Sequence, residues 1–191
     1  RIDRHGASMP LADRGSLGLY LHIPFCEAIC NYCNFNRELL DGARKQSYLQ
    51  ALGREIDTCG DLGPVDTVFF GGGTPSVLTP AEVASLIVRC RAVADLASQA
   101  EITLEMNPET ASVQRLEGYL EAGVTRLSIG VQSFRDEELE HLGRVHDAAR
   151  AVKAFEQARA AGFDDINIDL MVWLPNQTVL QWMESVDRST D

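Results

Sequence analysis

A β-rich run followed by a helical stretch recurs five times along this chain, and that alternation restricts the fold more than any other feature. Strands are expected at residues 17–23, 65–70, 101–106, 124–130 and 166–171. Helices are expected between them. Residues 43–59 place Tyr48, Leu49, Leu52, Ile56 and Cys59 on one face, at helical spacings. Thr79, Pro80 and Glu82 form a capping box, and the helix they open turns Val83, Leu86, Ile87, Cys90 and Val93 inward. Val113, Leu116 and Leu120 mark a helix closed by Gly123. Residues 136–142 and 147–161 follow, the latter ended by Gly162, and Thr178 caps a last helix that packs Trp182 and Met183 into a core. Repeated alternation dictates a parallel α/β sheet with right-handed crossovers. Ligands then sit where the loops converge, at the carboxyl ends of the strands. Eight such units close a barrel; five leave exposed edges, so an open, partial barrel is expected.

Composition narrows the partners. Lys plus Arg is 17 against 28 for Asp plus Glu, a formal net charge of −11 and a pI near 4.8. A surface of that sign repels phosphate backbones and anionic lipid, so no nucleic acid is expected as a partner. No apolar run reaches membrane-spanning length, so no integral membrane segment is expected. The five cysteines are odd in number, and three lie within eight residues, which points to a reducing compartment, the cytoplasm, and to a metal site. Residues 1–16 read as a polar lead without a secretory signal. A chain without an initiator methionine that stops inside its fifth unit is expected to continue beyond Asp191.

Cys26, Cys30 and Cys33 follow the first strand with the spacing CxxxCxxC. Three soft thiolates on one loop aim at one centre and select zinc or an iron–sulfur cluster. A structural zinc wants a fourth protein ligand, for which His22 is the nearest candidate. An ordinary four-iron cluster wants four cysteines. Cys59 and Cys90 fit inward helix faces instead, where buried free thiols are common. The trio therefore suggests a four-iron cluster with one iron open to a small molecule, with a redox-inert zinc module as the alternative.

The residues 20–26 (YLHIPFC), Cys30 and Tyr32-Cys33 resemble the cluster loop of radical S-adenosylmethionine proteins, in the branch of oxygen-independent coproporphyrinogen III oxidases and haem chaperones. Later motifs agree in order: 70–75 (FGGGTP), 105–108 (EMNP), 127–134 (LSIGVQSF), 142–146 (LGRVH), Asp169-Leu170, Leu174-Pro175 and Gln177-Thr178. The resemblance runs from Leu17 to the end. It implies the partial TIM-like barrel of that family over residues 17–191, without the sixth unit and the C-terminal domain. It also implies a 4Fe–4S cluster on Cys26, Cys30 and Cys33. Tyr20, Gly72 and Glu105 would contact the S-adenosylmethionine on the cluster. Gly73, Thr74, Gln132, Arg144 and Asp169 match positions that hold a second S-adenosylmethionine in the oxidase branch, and Tyr32 would flank an adenine. Oxidase-type sequences carry a further cysteine where this chain has Phe35, which favours the haem chaperone. The implied partners are haem or a porphyrinogen, an electron donor such as flavodoxin, and haem-acceptor proteins. The alternative activity is decarboxylation of coproporphyrinogen III propionates to vinyl groups.

Bland readings stand beside these. The glycine run is most simply a tight turn, Glu105 a solvated strand residue, and Gln132 and Arg144 loop polar groups. His22 reads as a hydrogen-bonded core histidine, and His141 and His146 as exposed helix-end residues. Asp169, between Ile168 and Leu170, resists such a reading, since a buried unpaired carboxylate is costly. Trp173 and Asn176 stand where relatives often have glycine, so Trp173 either crowds a ligand or fills space beside it.

Overall fold

The computed structural model describes residues 17–190; the polar lead (1–16) and Asp191 lie outside them. In chain order the elements are β1 (Leu17–Ile23), β2 (Phe25–Cys26), β3 (Glu38–Leu39), α1 (Gly42–Thr58), β4 (Pro64–Gly72), α2 (Pro80–Val93) and β5 (Asp95–Met106). Then come α3 (Val113–Ala122), β6 (Arg126–Gln132), α4 (Asp136–His141), α5 (Ala148–Ala161), β7 (Asp165–Leu170) and α6 (Val179–Thr190). Strands β1, β4, β5, β6 and β7 form one parallel sheet in that spatial order. Because spatial order repeats chain order, successive right-handed crossovers put their helices on one side. The sheet thus curls as part of a barrel, as the alternation predicts.

The period of two divides the strands cleanly. Leu21, Ile23, Val68, Phe70, Ile102, Leu104, Leu127 and Ile129 are buried beneath the helices, against Val83, Leu86, Ile87, Leu116 and Tyr119. Helix α5 meets this layer through Ala148, Ala151, Ala154 and Ala158, small side chains that let its backbone approach. The opposite face of the sheet carries Tyr20, His22, Glu101, Thr103, Glu105, Ser128 and Asp169, a polar set that no helix covers.

Several boundaries depart from expectation. Strand β5 begins at Asp95, because Val65 pairs with Leu96 before the register jumps to Thr67 opposite Glu101. The intervening polar residues carry no alternation to betray a strand. Strand β6 begins at Arg126, because Val124 belongs to the end of α3: Gly123 takes φ 103° and the Val124 N–H donates to the Tyr119 carbonyl at 3.0 Å. That is a left-handed helix cap with an apolar residue behind it. Cys59 caps α1 and is exposed, not inward as its spacing suggested, whereas Cys90 is buried as expected. Met183 is 46% exposed, so the last helix does not bury it.

Candidate functional site

The cysteine loop owes its shape to a pairing invisible in the strand pattern. Two-residue strands β2 and β3 run parallel, with the Glu38 N–H on the Pro24 carbonyl at 2.8 Å and the Leu40 N–H on the Cys26 carbonyl at 2.8 Å. They pin both ends of the loop beside the carboxyl end of β1. The far side is held by the Asn31 N–H on the Leu142 carbonyl at 3.1 Å. Gly143 makes that approach possible. Its φ is 70°, and a Cβ there would lie 3.0 Å from the Asn31 amide.

The glycine run after β4 is more than a turn. The Gly73 N–H donates to the Ile23 carbonyl at 2.8 Å and the Thr74 N–H to the Phe25 carbonyl at 2.9 Å. A Cβ on Gly73 would strike the backbone of Pro24 and Phe25 at 2.8–2.9 Å, so only glycine fits between the two segments. The Thr74 hydroxyl reaches the Cys26 thiol and accepts from Asn107 Nδ2 at 3.2 Å. Asn107 Oδ1 in turn accepts from Arg144 Nη2 at 2.7 Å, and Arg144 Nη1 donates to Cys30 Sγ at 3.3 Å. A chain of side chains from three strand-end loops thus connects Cys26 with Cys30. The EMNP and LGRVH motifs are in the sequence, but nothing in it says that Asn107 is what Arg144 leans on.

Cys26, Cys30 and Cys33 line one cavity at the carboxyl end of the sheet, together with Tyr32, Gly72, Gly73, Thr74, Glu105, Gln132, Arg144 and Asp169. Ala28, Phe35, Arg37, Met106, Asn107, Ser128 and Gly130 complete it, of which sequence reasoning had singled out only Phe35. Tyr20 is the exception. It is 59% exposed outside the cavity, its ring stacked on Phe69 at 6.0 Å between centroids and its hydroxyl 3.3 Å from His22 Nδ1. It shares the uncovered sheet face with Glu105 but does not reach the thiols' cavity.

Glu105 is half-buried and accepts from the Gly72 N–H at 3.1 Å, so it is not a solvated strand residue. Burial pushes its carboxyl above the usual range, with Asp169 adding to the shift, while the Gly72 N–H and His22 oppose it. Asp169 is not unpaired: Ser128 Oγ donates to it at 2.9 Å and Asn167 Nδ2 donates to its other oxygen. Gln132 takes φ 70° at a register shift between β6 and β7, an irregularity that re-aims a strand-end side chain into the cavity. Burial pushes the Tyr32 phenol up to about 12, against the pull of Arg144.

Of two histidines near the site, one is hydrogen-bonded as expected and the other departs from expectation. His22 is held on both nitrogens, Nε2 lying 2.8 Å from the Asn36 carbonyl, which leaves it no place as a metal ligand. His146 is 5% exposed, not a surface residue. Its Nδ1 lies 3.2 Å from Glu109 Oε2 and its Nε2 3.1 Å from the Val131 carbonyl, so it clamps the Arg144 loop to β6. His141 is exposed, as expected.

Three thiols from one loop form a soft donor set of the kind that fits an iron–sulfur cluster. Among the described residues no three cysteine, histidine or carboxylate side chains close on one ion-sized point. The three thiols instead border a cavity, as ligands to separate corners of a cluster must. Two guanidinium nitrogens there, Arg37 Nε and Arg144 Nε, are buried without a partner among the described residues and suit an anionic guest.

Comparison with known proteins agrees with this geometry. The family model described as the Radical SAM superfamily matches residues 20–188. The heme chaperone HemW of Bacillus subtilis is 42% identical over 172 residues, covering 88% of this chain and 45% of the relative. HemW of Escherichia coli is 43% identical, covering 85% and 44%. The bovine mitochondrial radical S-adenosyl methionine domain-containing protein 1 is 39% identical, covering 96% and 42%. Among solved structures, the coproporphyrinogen III oxidase HemN of Escherichia coli superimposes with a TM-score of 0.82 at 32% identity, over 94% of this chain and 43% of that one. The chain thus spans under half the length of these relatives.

Proposed function

Because the chain belongs to the radical S-adenosylmethionine superfamily, we propose that it holds a 4Fe–4S cluster on Cys26, Cys30 and Cys33 and binds S-adenosylmethionine beside it, in the service of haem transfer in the cytoplasm. The observation that carries this reading is the single cavity on which the three thiols and the polar strand ends converge. A reduced 4Fe–4S cluster on Cys26, Cys30 and Cys33 would supply there the one-electron chemistry that cleaves S-adenosylmethionine reductively.

The chain's own groups have distinct tasks. The Gly72 backbone and the Glu105 carboxylate, already joined by a hydrogen bond, offer acceptors to an ammonium group. Asp169, held by Ser128 and Asn167, is oriented to accept from ribose hydroxyls. Arg144, fixed by Asn107 and the Gly130 carbonyl, presents a guanidinium to a carboxylate. Gly73, Thr74 and Gln132 line the same wall, and Tyr32 offers a ring face to an adenine. Tyr20 needs the ligand to extend over the uncovered sheet face before it can make contact.

Haem chaperone activity is favoured by the HemW relatives and by Phe35, exposed at the cavity where oxidases carry a further cysteine. Flavodoxin-like electron donors and haem-accepting proteins are its natural partners. The likeness to HemN favours a second reading, coproporphyrinogen III decarboxylation. An anaerobically reconstituted sample is expected to hold about four irons per chain, to form 5′-deoxyadenosine with a strong reductant, and to bind haem without turning over coproporphyrinogen III. Protoporphyrinogen among the products would favour the oxidase; stoichiometric zinc and no cluster would sink both readings.

A further inference from the structure

Two arginines flank the cysteine loop from opposite ends of the sequence. Arg144 comes from the loop after α4 and Arg37 from the end of the cysteine loop, immediately before β3, and both line the thiols' cavity. Arg144 is fixed with unusual completeness. Its Nη2 donates to Asn107 Oδ1 at 2.7 Å and to the Gly130 carbonyl at 2.9 Å, and its Nη1 donates to Cys30 Sγ at 3.3 Å. Arg37 lies within electrostatic reach of Cys26. Each arginine also buries an Nε–H that has no acceptor among the described residues. A buried donor without a partner is costly, because it has given up its bond to water for nothing. Paying that cost twice at one cavity needs a reason.

We propose that Arg37 and Arg144 form an electropositive bracket that raises the reduction potential of the cluster held by the three cysteines. The inference rests on the functional reading above and deepens it. Reduction adds one electron, taken from the donor or a mediating dye, and so one negative charge to a group already ligated by three thiolates. A fixed cation stabilises the more negative state more than the less negative one. N–H donors aimed at ligand sulfurs act in the same direction. In a chain carrying a net charge of −11, two local cations matter for a second reason: they offset a field that otherwise opposes electron entry.

The test is redox titration of the anaerobically reconstituted chain, followed by electron paramagnetic resonance of the reduced cluster. It is run before S-adenosylmethionine is added, so that lost contacts to that molecule play no part. Arg37→Gln and Arg144→Gln should each lower the midpoint potential, and the double variant should lower it further. Arg37→Lys, which keeps the charge, should fall between wild type and Arg37→Gln. Should Arg144→Gln fail to take up iron, the Arg37 pair alone decides the matter. Variants that hold four irons yet titrate with the wild type would overturn the inference and leave the functional reading intact. A wild-type chain that takes up no cluster would overturn both.

Discussion

Glu105 shows how a single side chain can be at odds with its own fold. Burial and the neighbouring Asp169 raise its carboxyl above the ordinary value near 4.5, and one N–H from Gly72 does not compensate. A carboxyl whose folded value is raised holds its proton in the native state while the unfolded chain has already released it. Stability therefore falls as pH climbs from about 4.5 through the raised value. Glu105→Gln is expected to raise the urea midpoint of the metal-free protein at pH 7. That advantage should vanish below pH 4, where both states are protonated, and affinity for S-adenosylmethionine should drop. A variant no more stable than wild type at neutral pH would show the carboxylate to be fully compensated. Trp173 is a second such residue. It adopts φ 63° while 90% exposed, and Asn176 adopts φ 64° three residues on. A left-handed conformation costs an L residue about 1–2 kcal/mol, and an exposed ring regains little by packing. Trp173→Gly should stabilise the protein by about 0.5–1 kcal/mol, net of glycine's entropy. Trp173→Ala keeps the strained Cβ and should not. Equal chemical stability of the two variants would locate the effect in the ring.

At the scale of elements, the loops are held as firmly as the strands they connect. Helix α2 starts with the capping box that the sequence announces: the Glu82 N–H on Thr79 Oγ1 at 3.2 Å and the Thr79 N–H on the Glu82 carboxylate at 2.8 Å. The structure adds Lys45 Nζ at 2.9 Å and Gln46 Nε2 at 2.6 Å from α1, so one carboxylate caps α2 and ties α1 to it. Burial raises the Glu82 carboxyl, but the Lys45 ammonium and the N–H donors outweigh it and hold the value below the usual range. Such stabilisation is present above the unfolded value and lost as pH falls through the folded one. Glu82→Ala is expected to cost about 2 kcal/mol near neutrality, the sum of a lost cap and charge-assisted bonds. The deficit should narrow in acid; a deficit constant from pH 7 to pH 3 would mean that packing, not charge, carries it. The segment after the glycine run is anchored similarly. The buried Tyr119 hydroxyl donates towards the Leu78 and Ser76 carbonyls at 2.7 and 3.0 Å, and Arg115 Nη1 donates to the latter at 2.7 Å.

For the molecule as a whole, core and site lie on different sides of the same sheet. The apolar layer packs under the helices, while the thiols border a cavity at the strand ends. Removing a ligand should therefore spare the fold. Cys30→Ser is expected to abolish cluster assembly while the circular dichroism spectrum and thermal midpoint of the metal-free protein stay within about 2 °C of wild type, as for a surface-type substitution. Global unfolding of the variant would mean that the loop organises the core.

What the sequence determined by itself follows from local, periodic physics. Apolar residues at periods of two and near four, capping residues at helix starts and glycines past helix ends mark the five units. Their repetition leaves a parallel, barrel-like sheet with its ligands at one end. The cysteine spacing and the ordered motifs identified the family and most of the cavity wall. Non-local encounters were beyond it, because no spacing rule links residues that lie on different loops or strands. Only folding brings Arg144 to Cys30 and Asn107, Arg37 beside Cys26, and Ser128 under Asp169. It also turned His146 from a surface residue into a clamp and left Tyr20 outside the cavity. Burial depends on what the rest of the chain packs above a residue, and that is a property of the assembled sheet rather than of any segment within it.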